Sequence, residues 1–208
     1  MSRPGRLTTT SYAVLGLIAI RPFSTYELTA QMDRSFYRIW PRSRSKLYEE
    51  PKKLVAHGLA VATRERVGKR PRTVYSITAA GKAALADWLQ VPGSGPTLEF
   101  EQILKLTFVD NGTKADALAQ LAAARAWAVE QNRVNREVGR AYARGEGMFQ
   151  ERAAINLIGG AFLTDFYALV ARWADWATEL VQEWPDDPRD AELPQGIADD
   201  IVKRADWS

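Results

Sequence analysis

The sequence predicts a mainly α-helical chain in two parts: an N-terminal winged helix-turn-helix with a two-stranded wing, and an α-helical C-terminal dimerisation domain. Three observations predict it. Helical periodicity fills most of the 208 residues. A single hairpin pattern interrupts it, in RERVGKRPRTVYSIT at 64–78. The charge is also split: residues 1–91 hold 16 Lys and Arg against 6 Asp and Glu, a net of +10, and the remainder hold 12 against 19, a net of −7. A basic half joined to an acidic half suggests one domain that faces nucleic acid and one with another task.

The elements follow in order. A first helix runs from about Thr9 or Thr10 to Ile20, with Tyr12, Leu15, Ile18 and Ala19 on one face, Thr10 or Ser11 as its cap and Pro22 as its stop. Ser24 followed by Glu27 is a capping box that opens a second helix carrying Tyr26, Leu28 and Met32. A third helix is expected over 43–57, with Leu47, Leu54 and Val55 as apolar contacts and Gly58 just past its end. Val61, Thr63, Glu65 and Val67 then alternate with polar neighbours, as do Thr73, Tyr75 and Ile77, and the loop at 68–72 closes a hairpin. Thr78 caps a fourth helix bearing Leu85, Trp88 and Leu89. The Pro- and Gly-rich stretch VPGSGP at 91–96 sustains no regular element and reads as a linker, which divides the chain into domains at 1–91 and 97–208.

Beyond the linker the pattern is helical throughout. A short helix is expected over 98–109, and Thr113 with Asp116 starts a long one that runs to about Arg144, where Gly145 and Gly147 break it. The last long helix is expected from Phe149 to Trp184. In it Phe162, Phe166, Leu169, Trp173, Trp176, Leu180 and Trp184 repeat at close to 3.5 residues, the period of a coiled-coil seam. Two such helices cannot bury these stripes on each other alone, so a second copy of the chain is the simplest cover.

Several functional classes are excluded. With no cysteine there is no disulfide, thiol nucleophile or cysteine-ligated zinc. His57 is the single histidine and has no partners at metal-ligand or general-base spacing, so neither an enzyme nor a metal or cofactor is expected. The apolar run from Tyr12 to Ile20 is too short to span a bilayer and precedes no small-residue cleavage site. The expectation is a soluble cytoplasmic protein without a membrane partner.

The basic half carries a DNA-binding pattern. Arg42, Ser43, Arg44, Ser45 and Lys46 crowd the start of the third helix, where free backbone N–H groups already favour anions, and Tyr48 and Lys52 follow on the same element. Lys69, Arg70 and Arg72 put cations at the wing tip, with Gly68 supplying the turn and Pro71 a fixed φ. In the acidic half, Trp127, Trp173 and Trp176 admit two readings: a cavity in which a flat aromatic effector stacks, or an aromatic dimer core. Gly159 and Gly160 inside the last helix serve either close helix approach or room for a ligand.

The first 90 residues resemble the DNA-binding domain of PadR-family transcriptional regulators. The matching stretches are SYAVLGL at 11–17, STYEL at 24–28, Leu47-Tyr48, Lys52-Lys53-Leu54, Gly58-Leu59 and RTVYSITAAG at 72–81, in that order. The rest resembles, on helix pattern, the C-terminal domain of the family's larger members, related to AphA-type virulence activators. The resemblance implies a homodimeric repressor of a double-stranded DNA operator, with interlocking C-terminal helices and a ligand, where one exists, bound away from the DNA. The alternative is a winged-helix module that binds protein. One departure stands out. The family usually has Pro-Ala-Leu after the tyrosine, whereas Glu49-Glu50-Pro51 follows Tyr48 here. Pro51 removes an N–H and crowds the Leu47 carbonyl, so the third helix is expected to kink near Leu47 or to begin near Glu49. The two acids are compatible with a phosphate-facing surface only if they face inward or pair with Lys52 and Lys53.

Overall fold

Thr8, not Thr10 or Ser11, starts the first helix. In a computed structural model describing residues 5–67 and 70–207, with the side chains of Arg44, Val67 and Arg70 outside the description, α1 spans Thr9–Ile20. The Thr8 side chain accepts from the Ser11 N–H, and Ser11 Oγ accepts from the Thr8 N–H at 2.9 Å, a reciprocal box. Ser11 is also completely buried and donates through Oγ to Glu50 Oε2 at 2.6 Å. A residue committed to Glu50 on another element serves as N3 rather than as the cap. Four aliphatic residues of α1 are buried, Val14, Leu15, Leu17 and Ile18, whereas Ala19 is exposed.

Ser24 and Glu27 form the expected box at the head of α2 (Thr25–Ser35). The hydrogen bond from the Ser24 backbone N–H holds the Glu27 carboxyl below its ordinary pKa. Just before it, Phe23–Ser24 form a two-residue strand, β1, that the sequence pattern did not reveal. It pairs antiparallel with β3 (Arg70–Ile77), which also pairs with β2 (Ala60–Val67), so the sheet order is β1-β3-β2. Leu28 and Met32 of α2, Phe23 of β1, and Val74 and Tyr75 of β3 close the same core as α1.

The third helix, α3, spans Arg44–Ala56 and runs through Pro51. It therefore begins well before Glu49. The Pro51 ring is fully buried, so its apolar surface offsets the lost N–H. Leu47, Pro51 and Leu54 are the buried face, at helical spacing. Gly58 follows with φ 71°, the left-handed value that ends helices on glycine. Thr78 caps α4 (Ala79–Gln90), accepting from the Gly81 N–H at 3.0 Å and donating to the Gly58 carbonyl at 2.8 Å. Any side chain at Gly81 would collide with the Leu59 carbonyl oxygen. Trp88 stacks on Tyr12 with ring centroids 5.1 Å apart.

The chain divides into two units, Met1–Pro96 and Thr97–Ser208. The second holds α5 (Glu101–Thr107), α6 (Lys114–Ala143), α7 (Ala153–Gln182) and α8 (Ile197–Ala205). Thr113 and Asp116 box the start of α6. Before α7, Phe149 takes a left-handed φ of 53° and a single 3-10 turn intervenes, so the long helix begins at Ala153 rather than Phe149. Val170, Ala174 and Val181 of α7 pack with Ala117, Leu121, Ala124 and Ala128 of α6, and buried Tyr167 meets Trp127 of α6. This seam coincides with the aromatic stripe only in part, since Phe166, Trp173 and Trp184 pack against its edge. Phe162 is 58% exposed and Leu169 55%, whereas the buried positions lie beside them on the cylinder. Alanines bring the two helix backbones close, and the larger side chains are displaced to the rim.

Candidate nucleic-acid interface

Ser43 has cap geometry at the head of α3, but its hydroxyl makes no capping bond; it lies 3.2 Å from Ser45 Oγ instead. Thr8, Ser24, Thr78 and Thr113 all cap their helices. The first turn of α3, like those of α5, α7 and α8, thus lacks the side-chain oxygen that covers the equivalent N–H groups of α1, α2, α4 and α6, and its positive end stays available to an anion. Ser43, Ser45 and Lys46 are exposed around it, and Tyr48 is 41% exposed one turn on. Lys46 has no ion-pair partner among the described residues. Arg42 lies half-buried just before the helix, its guanidinium carbon 4.2 Å above the centroid of the Trp40 ring. The side chain of Arg44 lies outside the described residues.

The two acids that depart from the family pattern are both neutralised. Glu50 faces inward, bonded to Ser11 and lying 3.4 Å from Lys53 Nζ. Glu49 takes the exposed Lys52 at 2.9 Å. That bond raises the Lys52 pKa. It also spends part of its charge within the helix, so Lys52 is a poorer phosphate ligand than its exposure suggests.

The wing is longer and tighter than expected. Pro71 and Arg72 belong to β3, which the register pairs as Val67↔Arg70, Arg66↔Pro71 and Glu65↔Arg72. Lys69 is outside the described residues, and so is the Arg70 side chain. Arg72, expected to meet phosphate, is instead held across the strands, donating from Nε at 3.2 Å and Nη2 at 2.9 Å to Glu65 Oε2. The alternation of a strand puts Arg64 and Arg66 on the opposite face, exposed and without an ion pair among the described residues. Sequence reasoning missed these two. The signal was present, because Glu65 between two arginines marks the face on which a cation would be quenched.

The three tryptophans of the acidic half find separate partners. Trp127 packs edge-on to Tyr167 (5.6 Å) and Phe166 (6.3 Å), Trp173 lies 5.7 Å from Phe100, and Trp176 carries Arg204 over its ring at 4.9 Å. None of these contacts joins two of the three. His57 is the C-cap of α3, its Nε2–H donating to the Gly5 carbonyl at 2.9 Å.

Residues 14–87 match the family model described as Transcriptional regulator PadR-like family. Its members are transcriptional regulators, not enzymes. A curated relative, the negative transcriptional regulator PadR of Bacillus subtilis (strain 168), is 31% identical over 108 residues, which is 51% of this chain. The match spans 59% of that relative's length. Among solved structures, B. subtilis PadR in complex with operator DNA superposes with a TM-score of 0.69 at 20% identity, covering 84% of this chain and 99% of that one. The same protein in complex with p-coumaric acid gives 0.64 at 20% identity, over 85% and 100%. The Vibrio cholerae virulence activator AphA gives 0.64 at 23% identity, over 84% and 98%.

Proposed function

We propose that this chain, whose residues 14–87 match the PadR-like family model of transcriptional regulators, is a DNA-binding regulator of that family that acts as a homodimeric repressor. The observation that carries the reading is the head of α3: an uncapped positive helix end with Lys46 exposed beside it and Arg42 immediately before it. Such an end sits in a major groove with side chains reaching base edges, while the wing lies against the neighbouring backbone. Arg64 and Arg66 join Arg42, Ser43, Ser45, Lys46 and Tyr48 as the residues that reach nucleic acid, and Lys52 and Arg72 contribute less.

The dimer reading rests on α7. Ile155, Ile158, Phe162 and Leu169 are 61%, 74%, 58% and 55% exposed, and beside them an added Cβ at Gly159 or Gly160 would meet nothing within 4 Å. Glycine costs about 1 kcal/mol per residue relative to alanine inside a helix. Within one chain nothing repays that, whereas a partner helix could approach a bare backbone closely. The stretch Gln150–Gln182 is also long and apolar enough to cross a membrane by length and composition. The second copy is favoured because buried Asn135 donates to Thr164 Oγ1 (2.8 Å) and the Gly160 carbonyl (3.0 Å), and Arg125 pairs with Asp175 at 2.5 Å. A polar network and an ion pair on this helix suit a water-soluble bundle better than a lipid face.

A small aromatic effector that relieves repression is the remaining part of the reading, supported by the relative solved with p-coumaric acid. The separate partners of Trp127, Trp173 and Trp176 favour the aromatic-core role for them over a shared stacking site. The test is fluorescence anisotropy on DNA from upstream of the chain's own coding sequence and on random duplex, across a salt series, with and without p-coumarate. Tight binding with a steep salt slope and a preference for the upstream DNA is expected. A flat slope would transfer the winged helix to the protein-binding alternative.

A further inference from the structure

We infer that Trp40 is a positioning residue of the DNA interface: it sets the Arg42 guanidinium at the head of α3, and Thr10 of α1 in turn sets Trp40. The inference rests on the DNA-binding reading above. Arg42 lies on the connection between α2 and α3, which has no regular element of its own. A long side chain there ordinarily loses about 2 kcal/mol of rotamer freedom on being fixed to a ligand.

Here the fixing is done beforehand. The Trp40 N–H donates to the Phe36 carbonyl at 2.7 Å, which holds the backbone. The indole Nε1–H donates to Thr10 Oγ1 at 3.1 Å, and Thr10 is itself buried. The guanidinium then lies over the indole at 4.2 Å, with Nη1 donating to the Pro41 carbonyl at 2.6 Å. Stacking occupies a face of the guanidinium and leaves its edge. One of its five donors is spent on Pro41, and the others remain for a planar two-oxygen acceptor such as a phosphate, or for a guanine edge.

The surroundings could have quenched this cation and do not. Glu49 and Glu50 line the same open depression of about 600 Å³ as Trp40 and Arg42. Glu49 Oε1 pairs with Lys52, and the two oxygens of Glu50 are taken by Ser11 and Lys53. Arg42 is thereby left to the indole rather than to a carboxylate, which an indole can share with an arriving anion and a carboxylate cannot.

The test is a double-mutant cycle on the full chain, read by anisotropy on upstream and random duplex across salt. Trp40→Leu and Arg42→Ala should each weaken binding roughly tenfold and lower the salt slope by about 0.9, one phosphate contact. The double variant should be no weaker than Arg42→Ala alone. Trp40→Phe, which keeps an aromatic face and loses the indole N–H, should recover part of the loss. Additive losses, or Trp40→Leu binding with wild-type affinity and slope, would overturn the inference. Should Trp40→Leu fail to fold, Arg42→Lys decides: it keeps the charge and loses the planar stack, so wild-type affinity in that variant overturns the inference as surely. The free protein supplies a readout without DNA, an upfield ring-current shift of the Arg42 side-chain protons that Trp40→Leu abolishes; its absence in wild type overturns the stack itself. A wild-type chain that shows this shift but binds no duplex would remove the DNA reading and leave Trp40 a feature of the fold only.

Discussion

The two units of this chain bury different things. The N-terminal unit encloses Val14, Leu15, Leu17, Ile18, Phe23, Leu28, Leu47 and Leu54, each no more than 3% exposed. The C-terminal unit encloses four alanines with Leu121, Tyr167, Val170 and Val181, and leaves larger side chains such as Ile158 and Phe162 outside. The first is a core closed on its own; the second leaves an apolar face open, which the proposed reading gives to a second copy. A domain that must present a fixed helix to a ligand benefits from a core that is closed on its own. A domain that joins two chains needs its best apolar surface uncovered until the partner arrives.

The strongest way to break that comparison is to charge the open face. Phe162→Asp together with Ile158→Asp should halve the solution mass to that of one 23.2 kDa chain. It should also weaken binding to a two-half-site duplex by roughly a hundredfold, because the second head is no longer tethered. Light scattering checks the mass, and a wild type that is already monomeric would end the argument. Next in size is glycine replacement, which should have opposite signs in the two units. Gly81→Ala drives a methyl into the Leu59 carbonyl and should cost about 1–3 kcal/mol, read as a lower Tm of the N-terminal unit. Gly159→Ala meets nothing within the chain and should strengthen the isolated helix by up to about 1 kcal/mol, yet loosen the dimer.

On the wing, Arg64→Ala with Arg66→Ala should reduce the salt slope by about 1.8, two phosphate contacts, whereas Arg72→Ala should change it little. Equal effects would mean that the Glu65 pair does not quench its arginine. The smallest effect lies at the α2 cap. Because the Glu27 pKa is lowered from 4.5, its contribution is full above that value and is lost as pH falls below it. Ser24→Ala should cost about 1 kcal/mol at neutral pH and reduce this acid-side loss without abolishing it in a thermal series, because the Ser24 backbone N–H that chiefly lowers the Glu27 pKa is retained.

Much of the local structure in both units was legible because its signals are local. The boxes at Ser24 and Thr113, the Thr78 cap and the Gly58 stop each depend on residues within a few positions of one another, and all four form. The errors arose where distant residues chose. Thr10 or Ser11 was expected to cap α1, but Thr8 caps it, and Ser11 is committed to a carboxylate 39 residues away. Pro51 read as the cause of a kink near Leu47 or of a helix start near Glu49, yet α3 starts at Arg44 and carries Pro51 as core, because a filled pocket outweighs one missing N–H. At the site, the basic cluster ahead of α3 was visible as composition, but its inequality was not. Arg42 is stacked, Lys52 and Arg72 are paired, and Arg64 and Arg66 are free of ion pairs among the described residues.

By itself the sequence determined which stretches are helical, that one hairpin lies between α3 and α4, and which half is basic, since periodicity, turn residues and charge are properties of neighbouring residues. Only the tertiary structure decided which stripe of α7 meets α6, since a helix apolar on several sides offers more than one seam and close packing selects the one lined with alanine. It likewise decided which cations remain available, because a charge 2.9 Å from a carboxylate and a charge over an indole are the same letter in a sequence and different ligands in solution.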